Sequence, residues 1–116
     1  MSEELSSKKC IPCEGGIPAF SVEQINDFLK KIDNWSAEQD EESKFYLIKE
    51  FEFKNFLSSQ DFVNKVGNLA EEEGHHPDLS FGWGYAKVKI YTHAIGGLAE
   101  SDFILAAKID KIDKID

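Results

Sequence analysis

All three histidines of the chain fall between Glu71 and Asp102: His75 and His76 side by side ahead of Pro77, and His93 alone in a strand-like run. Imidazole is the one side chain whose ordinary pKa lies near neutrality, so it can give or take a proton at physiological pH. Positioned rings of this kind suit general acid and base work, each worth about 10²–10⁴ in rate. Glu71 stands four residues before His75, one helical turn, and can orient that ring or act on it by charge. Pro77 holds His76 to extended geometry, which fixes how the second ring projects. Each piece also has a plain reading: the doublet as a helix-terminal cap, His93 as a surface histidine on a sheet. Three imidazoles with Asp102 would also suit a hydrolytic zinc centre with an open position. Adjacent ligands from a His-His pair are awkward for one ion.

These rings need elements to carry them. Residues 1–19 read as a weakly ordered tail. Ser21 is placed to cap a helix in which Val22, Ile25, Phe28, Leu29 and Ile32 recur at helical spacing. Trp35 opens a short strand that turns through the acidic Glu38–Ser43 loop. Lys44–Phe53 alternates, with Phe45, Leu47, Phe51 and Phe53 on one face; Lys49 interrupts it and predicts a less buried end. Asn55–Glu73 makes the longest helix, with Phe56, Val63, Val66 and Ala70 inward, and Gly74 suits the left-handed position that ends helices. His75 and His76 then emerge at a helix C-terminus, where the dipole favours imidazolium by about 0.3–1 kcal/mol at an exposed site.

Leu79–Trp83 and Tyr85–Ile95 read as a strand pair. On the second, Val88, Ile90, Thr92 and Ala94 share one face, while Lys87, Lys89, Tyr91 and His93 share the other. A last helix runs from about Ala99 to Ile112, and the end 113–116 frays. The order predicts an α+β domain over 20–112: a four-stranded antiparallel sheet with three helices on one face, α-β-β-α-β-β-α.

Composition narrows the function classes. The 116 residues carry a net charge of −9 and contain no arginine. That argues against nucleic acid and against an anionic membrane surface, both of which call for cationic clusters. It also disfavours a highly anionic substrate, which arginine forks usually clamp. No apolar run approaches the ~18–20 residues that span a bilayer, and no signal-peptide core is visible, so a cytoplasmic location is expected. Cys10 and Cys13 form a Cys-x-x-C, but in a Gly/Pro-rich lead rather than at a helix start after a strand. An inert role is expected, with metal or redox use the alternative; two thiols do not close a zinc site.

The spaced set Glu71-x-x-x-His75-His76-Pro77, Trp83, Thr92-His93 and Gly97-Leu98-x-x-x-Asp102 resembles the pterin-4a-carbinolamine dehydratase family. Phe51-x-Phe53, Phe62-Val63, Val66, Ala70-Glu71, Trp35 and Asp102–Ala107 fall in the family's order, and Cys-x-Pro-Cys-x-Gly-Gly is similar to the lead of bacterial members. The likeness covers roughly 20–110. Gly74, Leu79 and Ala99 depart from the pattern; the last stands where a capping hydroxyl, worth ~1 kcal/mol, is often found.

The resemblance implies dehydration of 4a-hydroxytetrahydrobiopterin to quinonoid dihydropterin, recycling the cofactor of aromatic amino acid hydroxylation without metal or redox cofactor. It implies His76 and His93 as the main acid/base pair, with acid and base left open, and His75 as a helper that binds the hydroxyl. Glu71 and Asp102 would orient the rings. Pro77, Thr92, Ala94 and Ile95 would line the pocket. Trp35 and Trp83 would border the pterin ring or serve as core or interface aromatics. A homodimer or homotetramer is implied as well. The rival from another class is a non-catalytic dimerisation module, since animal relatives double as partners of a transcription factor.

Overall fold

Capping chemistry sets where the helices begin and end. Ser21 Oγ accepts from the Gln24 backbone N–H at 3.2 Å, and Gln24 Oε1 accepts from the Ser21 N–H at 2.9 Å, a closed capping box. Asn55 does the same work for the long helix, its Oδ1 accepting from Ser58 N–H at 2.8 Å. Gly74, at φ 65°, ends that helix in the left-handed region where a side chain would be strained.

The computed structural model describes residues 5–8 and 18–112. The elements are α1 (Val22–Leu29), β1 (Ser36–Gln39), β2 (Phe45–Glu52), α2 (Phe56–Glu73), β3 (Asp78–Gly82), β4 (Tyr85–Ile90) and α3 (Glu100–Asp110). Single 3-10 turns occupy Leu5–Ser7 and His93–Ile95. The strands form one sheet in the order β1-β2-β4-β3, with every pairing antiparallel. The expected α+β architecture is the one observed.

Alternation puts Leu47, Phe51, Ala86, Val88 and Ile90 on the helix-covered face. Against them pack Phe62 and Val66 of α2, Phe103 and Leu105 of α3, and Ile25 of α1. Phe62 is the hinge of the aromatic core, 4.6 Å from the Phe51 ring and 5.2 Å from Phe53. Burying one such side chain contributes about 1.5–3 kcal/mol.

Several sequence expectations need correction. Leu5 is only 5% exposed and packs in the core, and Lys8 pairs with Glu100 at 2.9 Å, so residues 5–8 are not a loose tail. The rest of that lead, with Cys10 and Cys13, and the end 113–116, where the sequence predicts fraying, lie outside the described residues. Lys49 does not loosen β2. Its ammonium is shielded, bonded to Asp110 Oδ1 at 2.8 Å and to the Asp33 carbonyl at 2.7 Å. Phe56 is 46% exposed rather than inward, because it opens α2 beyond the sheet and meets Phe81 at 5.4 Å. The last strand is shorter than Tyr85–Ile95: β4 stops at Ile90, and the Thr92–Gly97 bridge closes the chain into a turn that leaves Ala94 exposed.

Candidate active site

The left-handed Gly74 breaks the helical relation between Glu71 and the residues after it. His75 turns away from α2 toward the start of α3, where its Nε2 lies 2.7 Å from Asp102 Oδ1. His76 folds back over the last turn of α2 instead, its Nε2 hydrogen-bonded to Glu71 Oε2. Glu71 therefore partners the second histidine and not the first, contrary to the i,i+4 expectation.

Asp102 is fully buried, in the first turn of α3. A lone carboxylate there would be costly. Here it accepts from Thr92 Oγ1 at 2.8 Å through Oδ2 and at 3.0 Å through Oδ1, and from the Ala99 backbone N–H at 2.8 Å. Ala99 lacks a capping hydroxyl, so Asp102 supplies the carboxylate half of the box alone. The helix dipole adds to this preference for negative charge. One buried carboxylate thus ties together the loop after α2, the end of β4 and the start of α3.

Thr92 points inward to that carboxylate, and the residues flanking it point outward. His93 opens the 3-10 turn with its Nε2 2.8 Å from the Tyr91 hydroxyl and the two ring centroids 4.5 Å apart. The β3–β4 ladder ends at the pair Asp78↔Lys89. Counting on along both chains brings His76 level with Tyr91, and His75 level with Thr92. The doublet and the lone histidine therefore lie at one end of the sheet. His75 shares the Asp102 carboxylate with Thr92, whereas His76 stays with Glu71 at the end of α2 and His93 with Tyr91.

On the outer side a cavity of ≈ 140 Å³ opens between the Asp40–Lys44 loop and the turn after β4, with Tyr46, Lys89, Tyr91 and His93 in its wall. The loop is held by Asp40, whose Oδ1 accepts from the backbone N–H groups of Glu42 (2.8 Å) and Lys44 (3.0 Å). The Lys44 N–H, aided by that of Glu42, holds this carboxyl below its ordinary value.

Pro77, half-buried, follows the doublet, and Ala94 and Ile95 lie in the turn that carries His93. The two tryptophans are not brought to this end. Trp35 is a core residue whose Nε1 donates to Asp110 Oδ2 at 3.0 Å and whose ring meets Phe51 edge-on. Trp83 is 70% exposed in the β3–β4 turn, a strand's length from the doublet. Among the described residues no three His, Cys, Asp or Glu side chains are placed to hold one ion, because each imidazole faces a different partner. None of these helices is long and apolar enough to cross a membrane.

Sequence reasoning missed the hydroxyl of Thr92 and the phenol of Tyr91 as partners. A threonine in the apolar row Val88, Ile90, Thr92 was the available signal, since a buried hydroxyl needs a bonding partner.

Known proteins resemble this chain in sequence and in fold. A Rubrobacter xylanophilus protein with the provisional name pterin-4-alpha-carbinolamine dehydratase is 44% identical over 94% of this chain and 98% of its own. A Methylococcus capsulatus protein of the same provisional name is 46% identical over 93% and 92%. Among solved structures, a Brucella melitensis transcriptional coactivator/pterin dehydratase shares the fold, with a TM-score of 0.70 at 24% identity over 79% of this chain and 95% of that one. A pterin dehydratase-like protein described as a RuBisCO assembly factor in the alpha-carboxysome aligns with a TM-score of 0.57 at 26% identity, covering 67% and 87%. The family model for Pterin 4 alpha carbinolamine dehydratase matches residues 18–112, and the chain belongs to that family.

Proposed function

We propose that this protein dehydrates a 4a-hydroxytetrahydropterin, with His75, His76 and His93 as its catalytic groups. The observation that carries the reading is the buried Asp102, which joins the segment bearing the doublet to the strand end bearing His93. Family membership supports a pterin as the substrate class.

In the reaction an acid protonates the 4a-hydroxyl, the C4a–O bond breaks and water leaves. A base removes the N5 proton, and that electron pair closes the N5=C4a double bond of the quinonoid dihydropterin. His76 and His93 act as the acid/base pair. His75, oriented by Asp102, helps to bind the departing hydroxyl, and Glu71 orients His76. Pro77 and the backbone of Thr92, Ala94 and Ile95 supply the surrounding wall. Elimination of this kind needs no redox step. Ligand pockets commonly run to about 300–1,000 Å³. The ≈ 140 Å³ cavity beside His93 is smaller, so it takes one edge of the substrate while the rest lies across the open sheet end.

The test is a coupled assay in which an aromatic amino acid hydroxylase generates the 4a-hydroxypterin and its ultraviolet signature is followed. His76→Ala and His93→Ala should each slow the catalysed decay by about 10²-fold or more. No acceleration by the unaltered protein anywhere between about pH 6 and 8, where imidazole titrates, would remove the catalytic reading.

A second reading is a non-catalytic interaction module. It is favoured by the exposed apolar group Phe56, Leu57 and Trp83 at the end of the sheet remote from the histidines. Self-association into a dimer or tetramer would use such surfaces, and light scattering of the purified chain measures it. A pure binder would be unimpaired by His76→Ala.

A further inference from the structure

We infer that Tyr91 is a positioning residue for His93, fixing which ring nitrogen faces the substrate. The inference rests on the dehydratase reading and adds to it a residue type that pattern alone did not mark. Tyr91 and His93 flank the inward-pointing Thr92, so both project on the outer side of the sheet end. The Tyr91 hydroxyl lies 2.8 Å from His93 Nε2, and the rings meet at 4.5 Å with a 62° tilt. Lys89 braces the phenol from the neighbouring position. Its Nζ lies 5.6 Å from the Tyr91 ring centroid and 4.3 Å from that of Tyr46. All three aromatic or imidazole rings border the cavity beside the Asp40–Lys44 loop.

The chemical consequence follows from the partner. With Nε2 engaged, Nδ1 is the atom of His93 left to exchange a proton with a ligand. His75 and His76 also use Nε2, but their partners are the carboxylates of Asp102 and Glu71, which only accept when ionised. A phenol both donates and accepts. Tyr91 can therefore accept from Nε2–H while Nδ1 takes the N5 proton. Of the three rings, His93 is the one whose Nε2 is held by a neutral phenol rather than a carboxylate.

Tyr91→Phe tests this on the full chain, because it removes the hydroxyl and keeps the ring that Lys89 packs on. Nitrogen-15 imidazole spectra should show a hydrogen-bonded Nε2 at His93 in the unaltered protein. In the variant that signature should relax to the mixed tautomers of a free ring. kcat should fall about 5- to 50-fold, part of the ~10²–10⁴ that a positioned acid or base contributes, with KM within about twofold. Tyr85→Phe, a phenol at the far turn, should leave both readouts unchanged. An unchanged His93 tautomer with kcat within twofold overturns the inference, and so does a change confined to KM. Should Tyr91→Phe fail to fold, the unaltered protein still decides, since a free tautomer mixture at His93 contradicts the assignment. Absence of dehydratase activity would remove the proposed function while leaving the spectra to judge the Tyr91–His93 pair.

Discussion

Helix α3 carries a shielded aspartate at each end, and the two are put to different use. Asp102, in the first turn, receives the Thr92 hydroxyl, the Ala99 N–H and the His75 ring. Asp110, in the last turn, receives the Lys49 ammonium, the Trp35 indole N–H and the Asp33 N–H at 3.4 Å. Both satisfy a carboxylate away from water, as they must. The partners separate them. Lysine and indole keep their hydrogens across the physiological range, so the Asp110 end is a latch that fastens α3 to β2 and the α1–β1 connection. The imidazole of His75 is a side chain of the type that general acid and base work employs, so under the proposed function the Asp102 end serves the chemistry while it holds the fold. Under the proposed function, the same element offers one fastened end and one end that joins the chemistry.

Substitutions at the two ends should separate these roles. Asp102→Asn should have the largest effect, cutting catalysed dehydration by at least about tenfold. It should also lower unfolding free energy by about 1–3 kcal/mol, because Thr92 and the Ala99 N–H lose a charged acceptor. Urea denaturation and the coupled assay read the two effects on one sample. Asp110→Asn should cost a similar 1–3 kcal/mol in urea, yet leave turnover within about twofold. Equal losses of activity from both would break the contrast.

Thr92→Val sharpens it further. It keeps the shape and removes one bond to Asp102, which should cost about 1 kcal/mol and a few-fold in rate. The smallest effect is expected at Asp40, outside both ends. Its folded pKa lies below the unfolded value, so its contribution is present above about pH 4 and is lost as pH falls through the folded pKa. Carbon-13 titration of the Asp40 carboxyl should show a midpoint below that of free aspartate, and Asp40→Asn should loosen only amide protection in the Asp40–Lys44 loop.

What the sequence disclosed was whatever local geometry decides. The Ser21 box, the Asn55 cap, the left-handed Gly74 and the alternation through Leu47, Phe51 and Phe53 are set within a few residues of chain. So is the outward aim of Tyr91 and His93 around Thr92. Partners across the fold were not legible. Nothing near Lys49 announces Asp110, 61 residues away, and nothing near Trp35 announces the same carboxylate. Helical spacing pointed Glu71 to His75, but one left-handed residue handed it to His76. The strand pattern ran through Ala94 because alternation cannot see the Thr92–Gly97 bridge that ends it. Trp83 fell in the family's order of residues, yet a strand's length of hairpin carries it to the far end.

The central claim is that the Asp102 end of α3, and not the Asp110 end, supports an imidazole-driven dehydration. Its most direct test is the decay rate of freshly generated 4a-hydroxypterin with the unaltered protein, Asp102→Asn and Asp110→Asn side by side. The account predicts clear acceleration by the unaltered chain, near-equal acceleration by Asp110→Asn, and at least a tenfold smaller one by Asp102→Asn. Decay no faster than in buffer with the unaltered chain, or undiminished catalysis by Asp102→Asn, would contradict it.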